Sequence, residues 1–386
     1  MKILLIAYSF GGSASGRITS RVALEMAHQG HELVVVCAEN NYEDSKLDNI
    51  VVYELPGVIG KTSIYENLRV KILTYVGLSA YNSHFFWRYR AFQKSCNVIK
   101  KFEPDLIYAR STPIDACLVG LKLHVKFNIP VYQHFSDPLP APFMQDCTQT
   151  KRFIKQSKAI IEGSDLISFG TIQMADYIQS LIGYDNNNKI FEAPDVTVGS
   201  IDLNRSMKDK GSRLELVYLG NIYGSRNPQP LFQSLEILNN KGLNVHLSIY
   251  SSEQKLASSH VSFLGYTKDV NSALQNADVL VDIDGDDKIP VFVSSKLKDY
   301  LMISRPILSI TPAKSPTRLL LQGLKSTMCV LNQVSEIKSA IESFYSKSWV
   351  EQDFNDRQEL IDRFSPHSVV NLIFNNLNKI VHGDNK

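Results

Sequence analysis

The 386-residue chain is poor in cysteine and has no long apolar run. Its five cysteines, Cys37, Cys96, Cys117, Cys147 and Cys329, are odd in number, widely spaced and without a C-x-x-C pair. This pattern disfavours a disulfide framework or a zinc cluster and favours reduced cytoplasmic thiols. No stretch approaches the roughly 18 uncharged apolar residues of a membrane-spanning helix. The N-terminal MKILLIAYSFGG lacks a cleavage site and is typical of a first strand, not of a signal peptide. We therefore expect a cytoplasmic protein, either soluble or peripheral on the inner face of the plasma membrane.

A strong excess of charge of one sign is also missing. Lys and Arg number 41 and Asp and Glu 39, which leaves a formal net charge of +2. A dedicated nucleic-acid-binding domain has a marked basic excess, so we expect no nucleic-acid partner. Hydrophobic residues make up 44% of the chain and charged residues 21%, a balance that excludes intrinsic disorder as the main state.

Short β-branched runs alternate with helical patterns along the chain. A strand at 2–7, a helix at 17–29 and a strand at 32–37 form a βαβ unit, which predicts a parallel sheet. Further strands are predicted at 106–109, 130–134, 166–169, 214–219, 245–250, 261–264, 279–283 and 307–310.

The polar segment 197–212 lacks apolar periodicity and is the predicted linker between two domains. We expect an α/β protein with two Rossmann-like doubly wound domains, 1–197 and 198–365, that face a cleft. An amphipathic C-terminal helix at about 366–382 would pack back on the first domain. Ligands of such folds bind at the carboxyl ends of the strands.

Two glycine-containing loops each join a strand to a helix. In the first, SFGGSASGR at 9–17, Gly11 and Gly12 would let a phosphate approach backbone N–H groups at a helix N-terminus. Its spacing fits neither G-x-G-x-x-G nor a P-loop, which disfavours a dehydrogenase or an NTPase. A tight turn that needs glycine for its backbone angles explains the pair equally well. The second loop contains Gly220 and places Arg226 before a helix, where its forked donors suit a phosphate. The alternative interpretation of Arg226 is a solvated arginine at the start of a helix.

The segment PVFVSSKLKDYL at 290–301 predicts another helix start beside an anion. Ser294 or Ser295 would cap the helix, Lys296 would meet the anion, and Asp299 follows about one turn later. A diphosphate followed by a ribose diol suits this arrangement. The alternatives are a solvated lysine and an acid that compensates the helix dipole.

Three ordered motifs together resemble a known enzyme family. They are HFSDPLPAPF at 134–143, YLGNIYGSRNP at 218–228, and ADVLVDID followed by FVSSKLKDYLMISRPIL within 277–308, supported by RVALEMAHQGHELVVV at 21–36. The chain resembles a GT-B glycosyltransferase of the retaining family 4 type, found in bacterial surface-polysaccharide pathways, over nearly its whole length. The resemblance implies a hexosyltransferase-like enzyme with an N-terminal acceptor domain and a C-terminal nucleotide-sugar donor domain.

The resemblance also implies roles for residues of the second domain. Arg226 and Lys296 would hold the donor diphosphate and stabilise the departing nucleoside diphosphate. Asp299 matches the second acid of the family's E-x7-E motif, which binds the ribose hydroxyls. The first acid falls at Val291, so the chain departs from the family there, and backbone groups from Phe292 to Ser294 are left to contact the sugar.

Other positions match the family less closely. The arginine that often follows the second-domain glycine is replaced by Asn221. In the first domain, His134 and Asp137 lie at a strand end where the family places a catalytic or sugar-contacting polar group. A structural turn is the alternative, because Asp-Pro is itself a turn signal.

Asp282-Ile283-Asp284 spells the D-x-D that GT-A glycosyltransferases use to bind a divalent metal. The match is short, and the residues around it resemble a GT-B enzyme and not a GT-A enzyme. It also fails as an EF-hand loop, because Val293 stands where the terminal acid would be. We therefore expect an enzyme with no metal and no other cofactor.

Residues 69–101 hold seven Lys or Arg, seven aromatics and no acid. Basic and aromatic residues together suit an anionic membrane surface. The candidate contacts are Arg69, Lys71, Arg88, Arg90 and Lys94. The alternative is a long helix with its aromatics in the core and its charges in solvent.

The sequence thus predicts a retaining transferase that moves a sugar from a nucleotide diphosphate donor to a lipid-linked glycan. A nucleotide-sugar 2-epimerase of the same fold is one alternative. A non-catalytic protein that binds sugar nucleotides or glycans is another, which Val291 makes conceivable. Donor base, donor sugar, acceptor and linkage stay open.

Overall fold

The chain divides into two compact units. The computed structural model describes residues 1–41, 49–56, 72, 84–144, 150–184, 188–197, 213–222, 224–252, 259–267, 269–275, 277–346 and 354–381. One unit comprises Met1–Val198 with Phe364–Lys386, and the other comprises Gly199–Arg363. Most of the predicted linker, 198–212, lies outside the described residues. Within the described ranges, every helix is too short or too polar to cross a bilayer.

The first unit is built on a seven-stranded parallel sheet. Its strands are β1 (Lys2–Ala7), β3 (Glu32–Cys37), β5 (Ile50–Glu54), β6 (Leu106–Ser111), β7 (Val131–Phe135), β8 (Leu166–Phe169) and β9 (Ile190–Glu192). Their order is β5-β3-β1-β6-β7-β8-β9. Two short strands, β2 (Ser9–Gly11) and β4 (Glu39–Asn41), pair separately. The helices are α1 (Ala14–His28), α2 (Phe85–Phe102), α3 (Asp115–Phe127), α4 (Thr150–Gly163), α5 (Ile172–Ile182) and the C-terminal helix Pro366–Val381.

The sheet of the first unit is buried on both faces. Ile3 and Leu5 of β1 belong to a core that includes Val22 of α1 and Val370 of the C-terminal helix. Leu4, which alternates with them along the strand, points to the opposite face and is also fully buried. Helices therefore cover both faces, and the strands read as continuous apolar runs as parallel strands do.

The second unit repeats this plan with six parallel strands. They are β10 (Leu214–Leu219), β11 (Val245–Tyr250), β12 (Val261–Phe263), β13 (Val279–Ile283), β14 (Ile307–Ile310) and β15 (Thr327–Val330). Their order is β12-β11-β10-β13-β14-β15. The helices are α6 (Gln229–Asn240), α7 (Val270–Gln275), α8 (Ser295–Leu301), α9 (Pro316–Leu321), α10 (Val334–Tyr345) and α11 (Gln358–Arg363), which precedes the C-terminal helix, α12.

Both units are therefore Rossmann-like, as the sequence predicts. The predicted strands at 2–7, 32–37, 166–169, 214–219, 245–250, 279–283 and 307–310 are confirmed to the residue. Helix α1 begins three residues before its predicted start, because the Ser13 hydroxyl accepts the Gly16 N–H at 3.1 Å and caps it. Strands β2, β4, β5, β9 and β15 were not predicted. Helix α12 packs on α1, where Nδ1 of His367 lies 2.9 Å from Glu25 Oε1.

Candidate functional site

The strand order of the second unit places two loops side by side. Strands β10 and β13 are neighbours, and the chain order runs in opposite directions on either side of them. This is the topological switch point of a doubly wound sheet, where the carboxyl ends of the strands form a crevice for ligands. The loop that follows β10 carries Gly220 and Arg226, and the loop that follows β13 leads into α8. The local geometry therefore makes this edge of the sheet a candidate binding site.

The side chain of Lys296, in the first turn of α8, crosses directly over Gly220. A Cβ atom added to Gly220 would lie 2.2 Å from Cε and 2.7 Å from Nζ of Lys296, and φ of Gly220 is +131°. Tyr300 lies one turn further along the same helix face, and its hydroxyl accepts the Leu219 N–H at 2.9 Å. Lys296 and Tyr300 thus fix α8 to two consecutive residues at the end of β10.

Lys296 belongs to a compact group of charges. Its burial, and then the neighbouring Arg226 guanidinium, lowers the pKa of Lys296, whereas Asp282 and Asp299 oppose that shift. Arg226 is also held to its own loop, because its Nη1 donates to Asn221 O at 3.3 Å. The structure therefore brings together Arg226, Lys296, Asp299 and Gly220, which were predicted from separate stretches of sequence.

Asp282 and Asp284, whose D-x-D spacing is disfavoured as a metal site in the sequence analysis, lie in the same charged group. Ser309 Oγ donates to Asp282 Oδ2 at 3.3 Å, and Asp284 Oδ2 accepts from Thr311 Oγ1 at 2.7 Å and Ser315 Oγ at 2.8 Å. Burial, and then the Asp284 carboxylate, raises the pKa of Asp282 to about 7. Sequence reasoning missed this pair. In the strand order 3-2-1-4-5-6 the fourth strand, here β13, lies next to the first, here β10, and that adjacency could have indicated it.

The prediction that the side chain of Ser294 or Ser295 caps α8 is wrong for Ser294. Ser294 is the N-cap residue, but its side chain makes no capping hydrogen bond. Its hydroxyl hydrogen-bonds to Asp282, because the carboxylate at the end of β13 lies within reach and is the stronger acceptor. Ser295 is exposed in the first helical turn, and Phe292 is half-buried. Val291, at the position of the family's first acid, is buried, with 2% of its surface exposed.

The two carboxylates have hydroxyl groups and cationic side chains as their neighbours. Their oxygens already accept hydrogen bonds from hydroxyl groups, and the positive charges of Arg226 and Lys296 lie close by. A metal ion would be repelled by these cations. Across the described ranges, no group of three or more His, Cys, Asp or Glu side chains could hold a metal.

In the first unit, His134 lies in a buried polar cluster at the carboxyl end of β7. Its cross-strand partners are Arg110 on β6 and Ser168 on β8. Nδ1 of His134 lies 2.8 Å from Ser168 Oγ, and Nε2 lies 3.5 Å from Asp195 Oδ1. Asp195 also forms an ion pair with Arg110. The His134 side chain is 2% exposed and that of Asp195 15% exposed, so Asp195 is the more accessible of the two.

Arg110 and Asp195 were absent from the predicted site. Arg110 could have been found, because it directly follows the predicted strand 106–109, and the next predicted strand, 130–134, carries His134. Asp195 comes from the segment after β9, which was not predicted, so no signal in the sequence pointed to it.

The other residues predicted in the first unit lie in loops or, for Gly11, at the end of the short strand β2. Asp137 is exposed and accepts a hydrogen bond from Thr112 Oγ1 at 2.8 Å. Gly11 and Gly12 have φ values of +75° and +67°, which favour glycine and fit the tight-turn interpretation. The Gly12 backbone also packs against Asn41, whose Cβ would lie 2.7 Å from an added Cβ.

The predicted basic and aromatic segment is partly described. Arg69 and Lys71 lie outside the described residues, and α2 contains the remaining three candidates. Arg88 Nη1 lies 3.5 Å from Oδ1 of Asp115, an acid that is 1% exposed.

Arg90 and Lys94 contact neighbouring parts of the unit. Arg90 Nη1 donates to Pro56 O at 2.9 Å, and Lys94 Nζ lies 3.5 Å from the centre of the Tyr53 ring. Trp87, from the same helix, is fully buried. Helix α2 thus has an aromatic side chain in the core, as the structural alternative predicts. Its basic residues Arg88, Arg90 and Lys94 also contact other residues of the first unit.

No protein-family model matches the sequence, and no curated protein matches it. Several solved structures match nearly the whole chain. A glycosyltransferase from Rickettsia africae ESF-5 has a TM-score of 0.67 at 11% identity and covers 99% of each chain. HepE from Anabaena, in complex with UDP and glucose, has a TM-score of 0.66 at 13% identity and covers 98% of this chain and 99% of its own. A candidate UDP-N-acetylglucosamine 2-epimerase from Listeria monocytogenes has a TM-score of 0.59 at 9% identity and covers 99% and 96%. At these identities the likeness concerns the fold, which is that of the GT-B glycosyltransferases.

Proposed function

We propose that the chain is a retaining glycosyltransferase of the family 4 type that acts in cell-surface polysaccharide biosynthesis. It transfers a hexose from a nucleotide diphosphate donor to a lipid-linked glycan acceptor. The observation that carries the proposal is the placement of Lys296 across Gly220, beside Arg226, at the switch point of the second sheet. HepE, which shares the fold, was solved with UDP and glucose, and this supports a nucleotide-sugar donor.

In this proposal, Arg226 and Lys296 bind the donor diphosphate. Cleavage of the glycosidic bond leaves additional negative charge on the departing nucleoside diphosphate, and fixed cations stabilise that charge. Because Lys296 is largely removed from water, its attraction for a phosphate is stronger than that of a surface lysine. Asp299, one helical turn from Lys296, would accept hydrogen bonds from the ribose hydroxyls.

Retention follows if the acceptor hydroxyl attacks the anomeric carbon from the face that the diphosphate leaves. The oxygen of the leaving group takes the acceptor proton, and no protein nucleophile is needed. The first unit supplies the acceptor site in this proposal. There His134 and Asp195 form part of one buried polar cluster, and Asp137 is exposed nearby in sequence.

No metal or other cofactor takes part in the proposed reaction. The positive charges that stabilise the leaving group are those of Arg226 and Lys296. The carboxylates of Asp282 and Asp284, which resemble a D-x-D motif, lie beside them. The acceptor is anchored in a lipid, so we place the enzyme in the cytoplasm, at the inner face of the plasma membrane. Residues of α2 would contact the anionic lipids.

A nucleotide-sugar 2-epimerase is the second candidate, because a candidate epimerase shares the fold. A non-catalytic binding protein is the third, because the buried Val291 cannot supply the first acid of the family motif. The three candidates differ in their products. A transferase forms a glycosylated acceptor, an epimerase forms a new nucleotide sugar without an acceptor, and a binding protein leaves the donor unchanged.

The test is incubation of the purified protein with UDP-, GDP-, ADP- and dTDP-sugars, with and without lipid-linked acceptor. The released nucleoside diphosphate, the donor epimers and the glycosylated lipid are then measured. We expect glycosylated product whose anomeric configuration matches that of the donor. An inverted product would contradict the retaining mechanism. An epimerised donor would favour the second candidate, and an unchanged donor that binds the protein would favour the third.

A further inference from the structure

The carboxyl pair Asp282 and Asp284 is built into the end of β13. Two residues apart on an extended strand, the side chains point to the same side of the sheet. They are 2% and 8% exposed, respectively. Buried acids of this kind are rare unless they are paired or hydrogen-bonded. The charge of the pair therefore depends on the groups that surround it.

Hydroxyl groups hold the two carboxylates in place. Ser309 donates to Asp282, and Thr311 and Ser315 donate to Asp284. A hydroxyl group can either donate or accept, so these contacts persist whether a carboxyl group is ionised or protonated. The site can thus take up a proton while these contacts are kept, if the hydroxyl hydrogens reorient.

Ionisable groups from several elements face the pair. They are Arg226 from the loop after β10, Lys296 and Tyr300 from α8, and Cys329 from β15. Strand β14 contributes Ser309, which does not ionise in this pH range. The two carboxylates are therefore the counter-anions of the two cations. Burial raises the pKa of both acids, and the Asp284 carboxylate adds to the shift of Asp282, whose pKa reaches about 7.

We propose that binding of a nucleotide-sugar donor is coupled to uptake of a proton by the Asp282–Asp284 pair. The inference rests on the proposed donor site. A diphosphate at Arg226 and Lys296 brings two negative charges close to the carboxylates and engages the cations that stabilise them. Like charges disfavour the ionised form, so the pair holds its proton more tightly in the complex.

The sign of the pH dependence follows from linkage. Because the complex binds more protons than the free protein, donor affinity is higher at low pH and falls as pH rises. The logarithm of the affinity falls by the number of protons taken up for each pH unit. If uptake averages half a proton between pH 6 and pH 8, the donor binds about tenfold more weakly at the higher pH.

The experiment is isothermal titration calorimetry with UDP-glucose, repeated in buffers of different ionisation enthalpy at pH 7. The diphosphate of UDP-glucose is esterified at both ends and has no proton of its own near this pH. GDP-, ADP- and dTDP-glucose replace it if UDP-glucose does not bind. The dependence of the observed heat on the buffer gives the number of protons taken up. We expect a fractional uptake below one proton for the wild-type protein.

Two variants and a control assign the proton. Asp282→Asn removes the acid whose pKa is about 7, so it should abolish the uptake and flatten the pH dependence. Asp284→Asn removes the neighbouring charge that adds to this pKa shift, so it should reduce the uptake. Asp286→Asn removes an exposed acid from the same loop and should leave the uptake unchanged. Donor binding without uptake, or with release, in the wild-type protein would overturn the inference and leave the donor site intact. A failure of all four donors to bind would overturn both.

Discussion

Lys296 and Gly220 are in such close contact that only a hydrogen atom fits where another residue would have its Cβ. The glycine therefore does more than allow a turn. It leaves the space through which the lysine passes, so that an ammonium group on α8 reaches the carboxyl end of β10. The two residues are 76 positions apart, and the parallel pairing of β10 with β13 brings them together.

Gly220→Ala should displace Lys296 and remove most of the activity. A methyl group there would overlap Cε of Lys296 at 2.2 Å, and φ of +131° is unfavourable for alanine. Gly242→Ala is the matched control, since its φ is +89° and an added Cβ meets no atom within 4 Å. The comparison of kcat/KM for these two variants separates the contact from the backbone strain that both share. Equal activity in both would show that the contact has no role in turnover.

Lys296→Ala and Arg226→Ala should each lower kcat/KM by roughly 100-fold or more, as expected when a charge partner of the transition state is lost. Lys288→Ala, which removes an exposed lysine near β13, should retain normal kinetics. Steady-state assays with the preferred donor check this, and circular dichroism confirms folding. Near-normal turnover in a folded Lys296 or Arg226 variant would reject the diphosphate clamp.

Activity should persist in EDTA. In our proposal Arg226 and Lys296 stabilise the negative charge of the leaving group. The carboxylates of Asp282 and Asp284 accept hydrogen bonds from hydroxyl groups. The measurement is the turnover rate after dialysis against EDTA, with and without added Mg²⁺ or Mn²⁺. Loss of turnover on chelation, restored by either metal, would instead support a D-x-D metal site.

The protein should bind anionic vesicles through α2, and binding should weaken as salt concentration rises. Neutralising Arg90 and Lys94 with glutamine removes two charges, each contributing about 1 kcal/mol at an anionic surface, so partitioning should fall about thirtyfold. Arg88 is kept, because without it the buried Asp115 would lose its cation.

The control for vesicle binding is the double change of Lys314 and Lys325 to glutamine, which alters the net charge equally in the second unit. Both lysines are exposed. Sedimentation with phosphatidylserine vesicles measures the partitioning of each variant. If both double variants lose binding to the same extent, net charge and not α2 is responsible.

The sequence predicted much of the fold because parallel strands buried on both faces leave a strong apolar signal. The predicted bounds of strands such as 166–169 and 279–283 are confirmed to the residue for that reason. Strand β15, TMCV, was not predicted, because it is four residues long and only partly buried. Strand β5 was not predicted either, because its edge position leaves it largely exposed and interrupts the apolar pattern.

The sequence also indicated which residues of α8 and of the loop after β10 belong to one site, because the family motifs carry them. It did not indicate that Asp282 belongs with them, because a short acidic motif has several interpretations until its neighbours are known. The hydrogen bond from Ser294 to Asp282 was likewise hidden, since a serine at a helix start predicts a cap. The roles of Asp282 and Ser294 both depend on side chains that are distant in sequence, and the local sequence does not show these partners.

The proposed diphosphate site at Lys296 is tested most directly by the equilibrium binding of nucleoside diphosphates to the wild-type protein, Lys296→Ala and Lys288→Ala. UDP, GDP, ADP and dTDP are titrated at constant pH and salt concentration. We expect at least one of them to bind the wild-type protein and Lys288→Ala with equal affinity, and to bind Lys296→Ala at least tenfold more weakly. Equal affinity in all three proteins, or no binding of any nucleotide to the wild-type protein, would rule out the proposed diphosphate site.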